Sequence, residues 1–210
     1  MPFVLVIISK ESTVFNKARL FGIVLSSSFL FSSTVFAGWT LDGNNSNLYY
    51  VTSKAAALSE LNSFAELTGS INDNGNAMMS ISLGSVDTAI DIRNERMREI
   101  VFQVATYPLA TISLDADSSR LASLQPGESY RATHAATLDL HGTEQSLSVD
   151  VIISGLQGGG LLVSLAKPLI VNAASFGLAA SVEQLREIAG LPSINNNIVV
   201  DFTLQYDADN

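Results

Sequence analysis

From Gly38 onward, apolar residues recur at every second position over most of the chain, and any fold must satisfy that period. A period of two sends alternate side chains to opposite faces of a strand, so each segment buries one face and wets the other. In residues 76–84, Ala77, Met79, Ile81 and Leu83 share a face against Met78, Ser80 and Ser82. In 147–154, Leu147, Val149, Val151 and Ile153 oppose Ser148, Asp150, Ile152 and Ser154. Near the end, Val200, Phe202, Leu204 and Tyr206 oppose Asp201, Thr203 and Gln205. Residues 47–53, 63–71, 109–115, 129–140 and 160–171 follow the period less strictly, which makes about eight strands in all.

Turn chemistry separates them: Asp73-Asn74-Gly75, His141-Gly142-Thr143, the glycine-rich 155–160 and Asn195-Asn196-Asn197. Such short connections suit antiparallel hairpins, because parallel crossovers need a dozen or more residues. Two stretches have helical period instead. Ile90 to Val104 sets Met97, Ile100, Val101 and Val104 on one stripe, with Asp87 or Thr88 as a cap and Tyr107-Pro108 beyond its end. Ser181 to Ala189 starts on a serine cap with Gln184 three residues on, turns Leu185 and Ile188 inward, and meets Gly190 and Pro192.

Two short helices cannot cover both faces of so many strands, whereas closing the sheet hides its edges and its apolar side. The expected fold is therefore all-β: an eight-stranded antiparallel barrel with one or two short helices, a partly open sandwich being the alternative. Several inward positions are small: Ala77, Ala132, Ala136, Val149, Val151 and Val163. Only Phe64, Phe102, Phe176 and Phe202 remain of the phenylalanines after residue 37. That economy of volume favours a cavity over a filled core.

Residues 1–37 read differently. Lys10, Lys17 and Arg19 precede the apolar and serine run Leu20–Leu30, and Val35 and Ala37 occupy the small-residue positions of a cleavage site. That order predicts a secretory signal peptide cleaved after Ala37, leaving 38–210 as one domain. The alternative is a retained anchor. It would need roughly 20 apolar residues, and Leu20 to Ala37 comes near that only with its serines and Thr34 tolerated.

With 11 basic against 20 acidic residues, the formal net charge of −9 argues against nucleic acid as a partner, since phosphates call for clustered Lys and Arg. The absence of cysteine rules out disulfides, thiol chemistry and cysteine metal ligands. An acidic, cysteine-free, exported chain fits the bacterial periplasm.

Specific strings then carry a resemblance. They begin with Trp39-Thr40-Leu41-Asp42, Asn45 to Tyr50, and Phe64 to Ile71. Next come Ser85-Val86-Asp87-Thr88, Ile92 to Arg98, and Tyr107 to Ile112. Leu138-Asp139-Leu140-His141-Gly142 and Leu169 to Leu178 complete the set. In order and spacing the chain resembles the YceI-like, polyisoprenoid-binding family over essentially all of 38–207. The resemblance implies a lipocalin-like barrel that binds a long isoprenoid, with a quinone or diphosphate head, for transport, storage or stress protection. It implies no catalytic activity and no required cofactor. Transient membrane contact and a homodimer are further partner arrangements it allows. The chain departs from the family pattern at Asn45, where histidine is common, and at Asn94, where aspartate is common.

The candidate apolar lining is Phe64, Ala77, Met79, Ile81, Leu83, Met97, Val101, Phe102, Leu138, Val149, Val151, Ile153, Val171, Phe176, Phe202 and Leu204. Each is equally an ordinary core position. Arg93 and Tyr107 are the head-group candidates: the first offers several donors, the second a hydroxyl. Against this, Asp91, Glu95 and Glu99 lie at helical spacing from the arginines and could simply pair with them, and Tyr107 could simply turn a corner.

His134 and His141 are seven residues apart and cannot share a strand face, so no metal site is expected. Ser164-Leu165-Ala166-Lys167 matches an S-x-x-K string but lacks its Ser-Asp-Asn and Lys-Thr-Gly partners. Gly158-Gly159-Gly160 has no Gly-Lys-Ser/Thr after it and is no phosphate loop. No catalytic set is visible. An enzyme acting on a lipid-like substrate and a structural module with a filled barrel stand as the rival readings.

Overall fold

In a computed structural model, the structure describes residues 38–55 and 58–209. The expected signal peptide, 1–37, lies outside the described residues.

Twelve strand segments assemble into eight long strands. The first is β1 (Trp39–Leu41) and β2 (Asn47–Lys54), either side of a 3₁₀ turn at Gly43–Asn45. The second is β3 (Leu58–Phe64) with β4 (Leu67–Ile71), and the third β5 (Asn76–Ser82) with β6 (Val86–Asp87). Unbroken strands follow: β7 (Leu109–Asp115), β8 (Ser129–Leu140) and β9 (Thr143–Gly155). Then β10 (Leu161–Leu165) and β11 (Leu169–Asn172) form the seventh, and β12 (Asn197–Ala208) the eighth. Each strand pairs antiparallel with the next in sequence.

β12 closes the ring. One of its edges pairs with β10 and β11, and the other with β1 (Leu41 opposite Tyr206) and β2 (Val51 opposite Val199). The result is an up-and-down barrel of eight antiparallel strands. Breaks between paired segments let strands of this length curl around a closed interior, as bends and bulges do elsewhere.

The alternation sets the faces. Met79, Ile81, Val149, Val151, Ile153, Phe202, Leu204 and Tyr206 are buried, whereas Met78, next to Met79, is 55% exposed. Trp39 is 1% exposed, and its Nε1 donates to the Gly159 carbonyl at 2.9 Å, pinning the start of β1 to the glycine-rich turn after β9. At the β4–β5 turn Gly75 has φ +88°, and a Cβ there would lie 2.1 Å from the Ala116 carbonyl oxygen. Only glycine fits.

The helices depart from expectation. α1 (Asp91–Arg96) continues into one π-helical turn, Met97–Val101, in which Phe102 N–H reaches the Met97 carbonyl at 2.8 Å. The helix stops there, with Gln103 at φ +49°, and does not run to Val104. Neither Asp87 nor Thr88 caps it with a side chain. Instead Asn94 Oδ1 accepts from Thr88 N–H at 2.8 Å and Thr88 Oγ1 at 2.6 Å. α2 (Ser118–Ser123) was not legible from periodicity; Asp117 caps it by accepting from Arg120 N–H. α3 (Ala179–Ile188) begins before Ser181, so that serine is no cap, and Ile188 is 44% exposed rather than inward. No helix among the described residues is long and apolar enough to cross a membrane.

Candidate functional site

The barrel interior holds two adjoining cavities. The larger has a volume of about 180 Å³, and its wall is almost wholly apolar. Strands β2, β5, β7, β8, β11 and β12 build its sides. The π turn contributes Met97, Val101 and Phe102, and α3 lays Val182 and Leu185 across it. The smaller, about 70 Å³, lies further along the barrel. Met79, Ile112 and Phe202 line both and form the partition between them. Water occupies a cavity when it finds two to four polar partners, so apolar walls like these favour an apolar guest or no guest.

Of the candidate lining residues, Phe64, Ile81, Leu83, Met97, Val101, Phe102, Leu138 and Val171 border the larger cavity. Ala77, Val149, Val151, Ile153 and Leu204 border the smaller. Phe176 borders neither; it packs with Leu138, Ala173 and Leu178 in a separate buried cluster.

The reason for the room differs from the one side-chain volume suggested. None of the six small inward residues borders the larger cavity, while Ala77, Val149, Val151 and Val163 border the smaller. The greater space lies where helices roof the barrel.

The π turn explains why Phe102 reaches the interior and Ile100 does not line it. An α-helical stripe through Met97 would pass through Ile100, Val101 and Val104. A turn closed by a bond spanning five residues brings Met97 and Phe102 to the same face. Residues that periodicity missed include Tyr50 on β2, Leu178 just before α3, Val182 on α3 and Ile198 on β12, all of which face the larger cavity.

Arg93 lies beside the cavity, not on its wall. Its Nη1 reaches Glu60 Oε2 at 2.6 Å and its Nη2 donates to the Thr88 carbonyl, so it ties α1 to β3. None of the acidic residues on its own helix is its partner. Lys54 shares the same Glu60 oxygen at 2.7 Å. Burial pulls the Glu60 carboxyl up, but hydrogen bonds and charge from Lys54 and Arg93 outweigh it and hold the group below its ordinary range.

Tyr107 packs on His141, ring centroids 4.1 Å apart, against the tight turn between β8 and β9. A Cβ on Gly142 would touch the Tyr107 ring at 3.0 Å.

Asn45 donates to Asp42 Oδ2 at 2.6 Å in the exposed turn between β1 and β2 and borders neither cavity. His134 Nδ1 hydrogen-bonds the Asp115 carbonyl at 3.1 Å, and Lys167 pairs with Asp150 at 2.6 Å. Among the described residues no three His, Cys, Asp or Glu side chains gather as metal ligands.

The YceI-like domain matches residues 39–206. The chain is similar to a polyisoprenoid-binding domain from Saccharophagus degradans implicated in plant cell wall breakdown: 37% identity, TM-score 0.80, covering 81% of this chain and 98% of that one. It shares its fold with Burkholderia cenocepacia BcnA at 16% identity and TM-score 0.62, covering 79% and 98%. It also shares it with a Campylobacter jejuni YceI protein at 15% identity and TM-score 0.52, covering 71% and 85%. Among curated protein sequences none matches significantly.

Proposed function

The chain belongs to the YceI-like family, and from that premise we propose that it binds the tail of a long isoprenoid lipid inside its barrel, without catalysis. The observation that carries the reading is the larger cavity: enclosed by the barrel, roofed by α3 and the π turn, and apolar on nearly every side. A polyprenyl tail needs area removed from water rather than directed bonds. At roughly 25 cal/mol per Å² of apolar surface, a few buried isoprene units supply several kcal/mol.

The tail would lie against Phe64, Ile81, Met97, Phe102 and Phe202, and a longer one would displace the Met79 side chain and enter the smaller cavity. The similar Saccharophagus domain is described as polyisoprenoid-binding, which supports the class of ligand. An isoprenoid quinone is the specific ligand we propose, carried or stored in the periplasm after removal of residues 1–37.

The test is extraction of protein purified from its own host without detergent, followed by mass spectrometry. A stoichiometric isoprenoid is expected. Material that contains none, and that takes up no long-tailed quinone offered to it, overturns the proposal.

A further inference from the structure

The two halves of the roof over the larger cavity are held in different ways. The half made by α1 and the π turn is tied down: Arg93 reaches Glu60 on β3 at 2.6 Å, Asn94 bonds back to Thr88, and Val101 and Phe102 are buried. α3 is the loose half. None of its ten residues is buried, and it meets the cavity through Val182 and Leu185, both half-buried. Among the described residues, every ion pair and side-chain hydrogen bond of α3 stays within the helix and the turn that follows it.

Its two ends are unequal as well. Leu178, just before the helix, is 2% exposed and sits in a buried cluster with Leu138, Ala173 and Phe176. Beyond the far end Gly190 turns the chain at φ +63°, and a Cβ there would meet nothing within 4 Å. Besides the backbone bonds that end the helix, one side chain holds this end. Arg186 Nη1 donates to the Leu191 carbonyl at 2.6 Å, while its Nε and Nη2 both reach Glu183 Oε1 at 2.8 Å. Leu191 leads into a segment bonded to β2 and the residue after it: Asn195 N–H donates to the Ser53 carbonyl at 2.8 Å, and Ala55 N–H to the Ser193 carbonyl at 3.1 Å. Arg186 thus clasps the end of α3 to chain that is fixed on the barrel.

A helix this short draws its stability from packing, and segments with little buried apolar surface open while the rest of a protein stays folded. We propose that α3 is the lid of the larger cavity: it swings on its Leu178 end, Arg186 sets how often it opens, and the lipid enters and leaves between α3 and the π turn. The inference rests on the lipid-binding reading above and adds the route and the residue that controls it. Arg186 does not line the cavity, so a guest neither makes nor breaks the clasp. Removing the clasp raises the open population of the empty and filled forms by the same factor. Entry and exit then quicken together, and their ratio, the affinity, stays where it was.

The test compares the parent protein and R186A, with uptake and release of a long-tailed benzoquinone followed by stopped-flow quenching of protein fluorescence. Both rates should rise about fivefold in R186A, the size of one hydrogen bond, while Kd stays within about twofold of the parent. Hydrogen exchange of the empty proteins supplies a readout that needs no ligand. In the parent, α3 amides should exchange about tenfold or more faster than those of the π turn, and R186A should quicken α3 alone. Unchanged uptake and release in R186A, or weaker binding without faster uptake, overturns the lid and leaves lipid binding standing. Exchange in α3 as slow as in the π turn does the same. A parent that takes up no quinone overturns both.

Discussion

Met79 is the side chain on which the interior volume turns. It is 4% exposed and borders both cavities, with Ile112 and Phe202 completing the partition. Methionine is unbranched and adaptable, so it can swing aside for a guest that a β-branched residue would stop. Met79→Ala is expected to cost about 2–5 kcal/mol of stability in the empty protein. It should also join the two cavities, which lipid extraction would register as a shift toward longer tails.

Glu60 carries a different kind of consequence. Its folded pKa is depressed, so on acidification the unfolded chain takes up the proton first. The stabilisation is therefore whole above the ordinary value of 4.5 and drains away as pH falls through the lower folded value. Glu60→Gln should be less stable than the parent at neutral pH, and the gap should narrow well below pH 4.5, as denaturant titrations at the two conditions would show. Neither residue's role could be read from local pattern. The alternation placed Met79 inward but could not place it at a partition, and the pairing of Glu60 with Arg93 joins strand to helix across 33 positions.

At the scale of elements, the strands were legible and the helices only in outline. Alternation at Ala77–Leu83, Leu147–Ile153 and Val200–Tyr206 has one physical reading, and the barrel follows it. The π turn adds one residue to a helical turn, and nothing in Ile90–Val104 distinguishes that from an ordinary α-helix by spacing alone. The start of α1 depends on Asn94 reaching back to Thr88, a contact set by the path of the preceding loop. Asn94→Ala should cost about 1 kcal/mol, the net worth of a hydrogen bond lost from Thr88. Asn94→Asp, which keeps the accepting oxygen, should retain most of it; chemical denaturation of the pair would measure the difference. In the β4–β5 turn the sequence signal Asp73-Asn74-Gly75 was sound for a stricter reason than turn preference, because Gly75 faces the Ala116 carbonyl at a distance no Cβ could share. Gly75→Ala should lower stability by more than about 1 kcal/mol.

For the whole molecule, the cavity makes stability depend on occupancy. A ligand that binds only the folded barrel adds RT ln(1 + [L]/Kd), about 2.7 kcal/mol at a hundred times Kd. The melting temperature should therefore rise with added long-tailed quinone and stay flat with a short-tailed analogue that leaves the cavity walls unburied. Calorimetry across a concentration series would check it. The sequence indicated a hollow barrel through its small inward residues, yet the larger hollow owes its existence to α3, the π turn and the loops that roof it. Those pieces lie far apart in the chain, and no local period encodes their meeting.

The closing strand is also the last of the eight in chain order, and it is joined along both edges to β1, β2, β10 and β11. Until β12 is in place, the inner walls of the other seven strands lie open to water and enclose nothing. A growing polypeptide therefore has no enclosed interior, and any guest must enter the finished barrel.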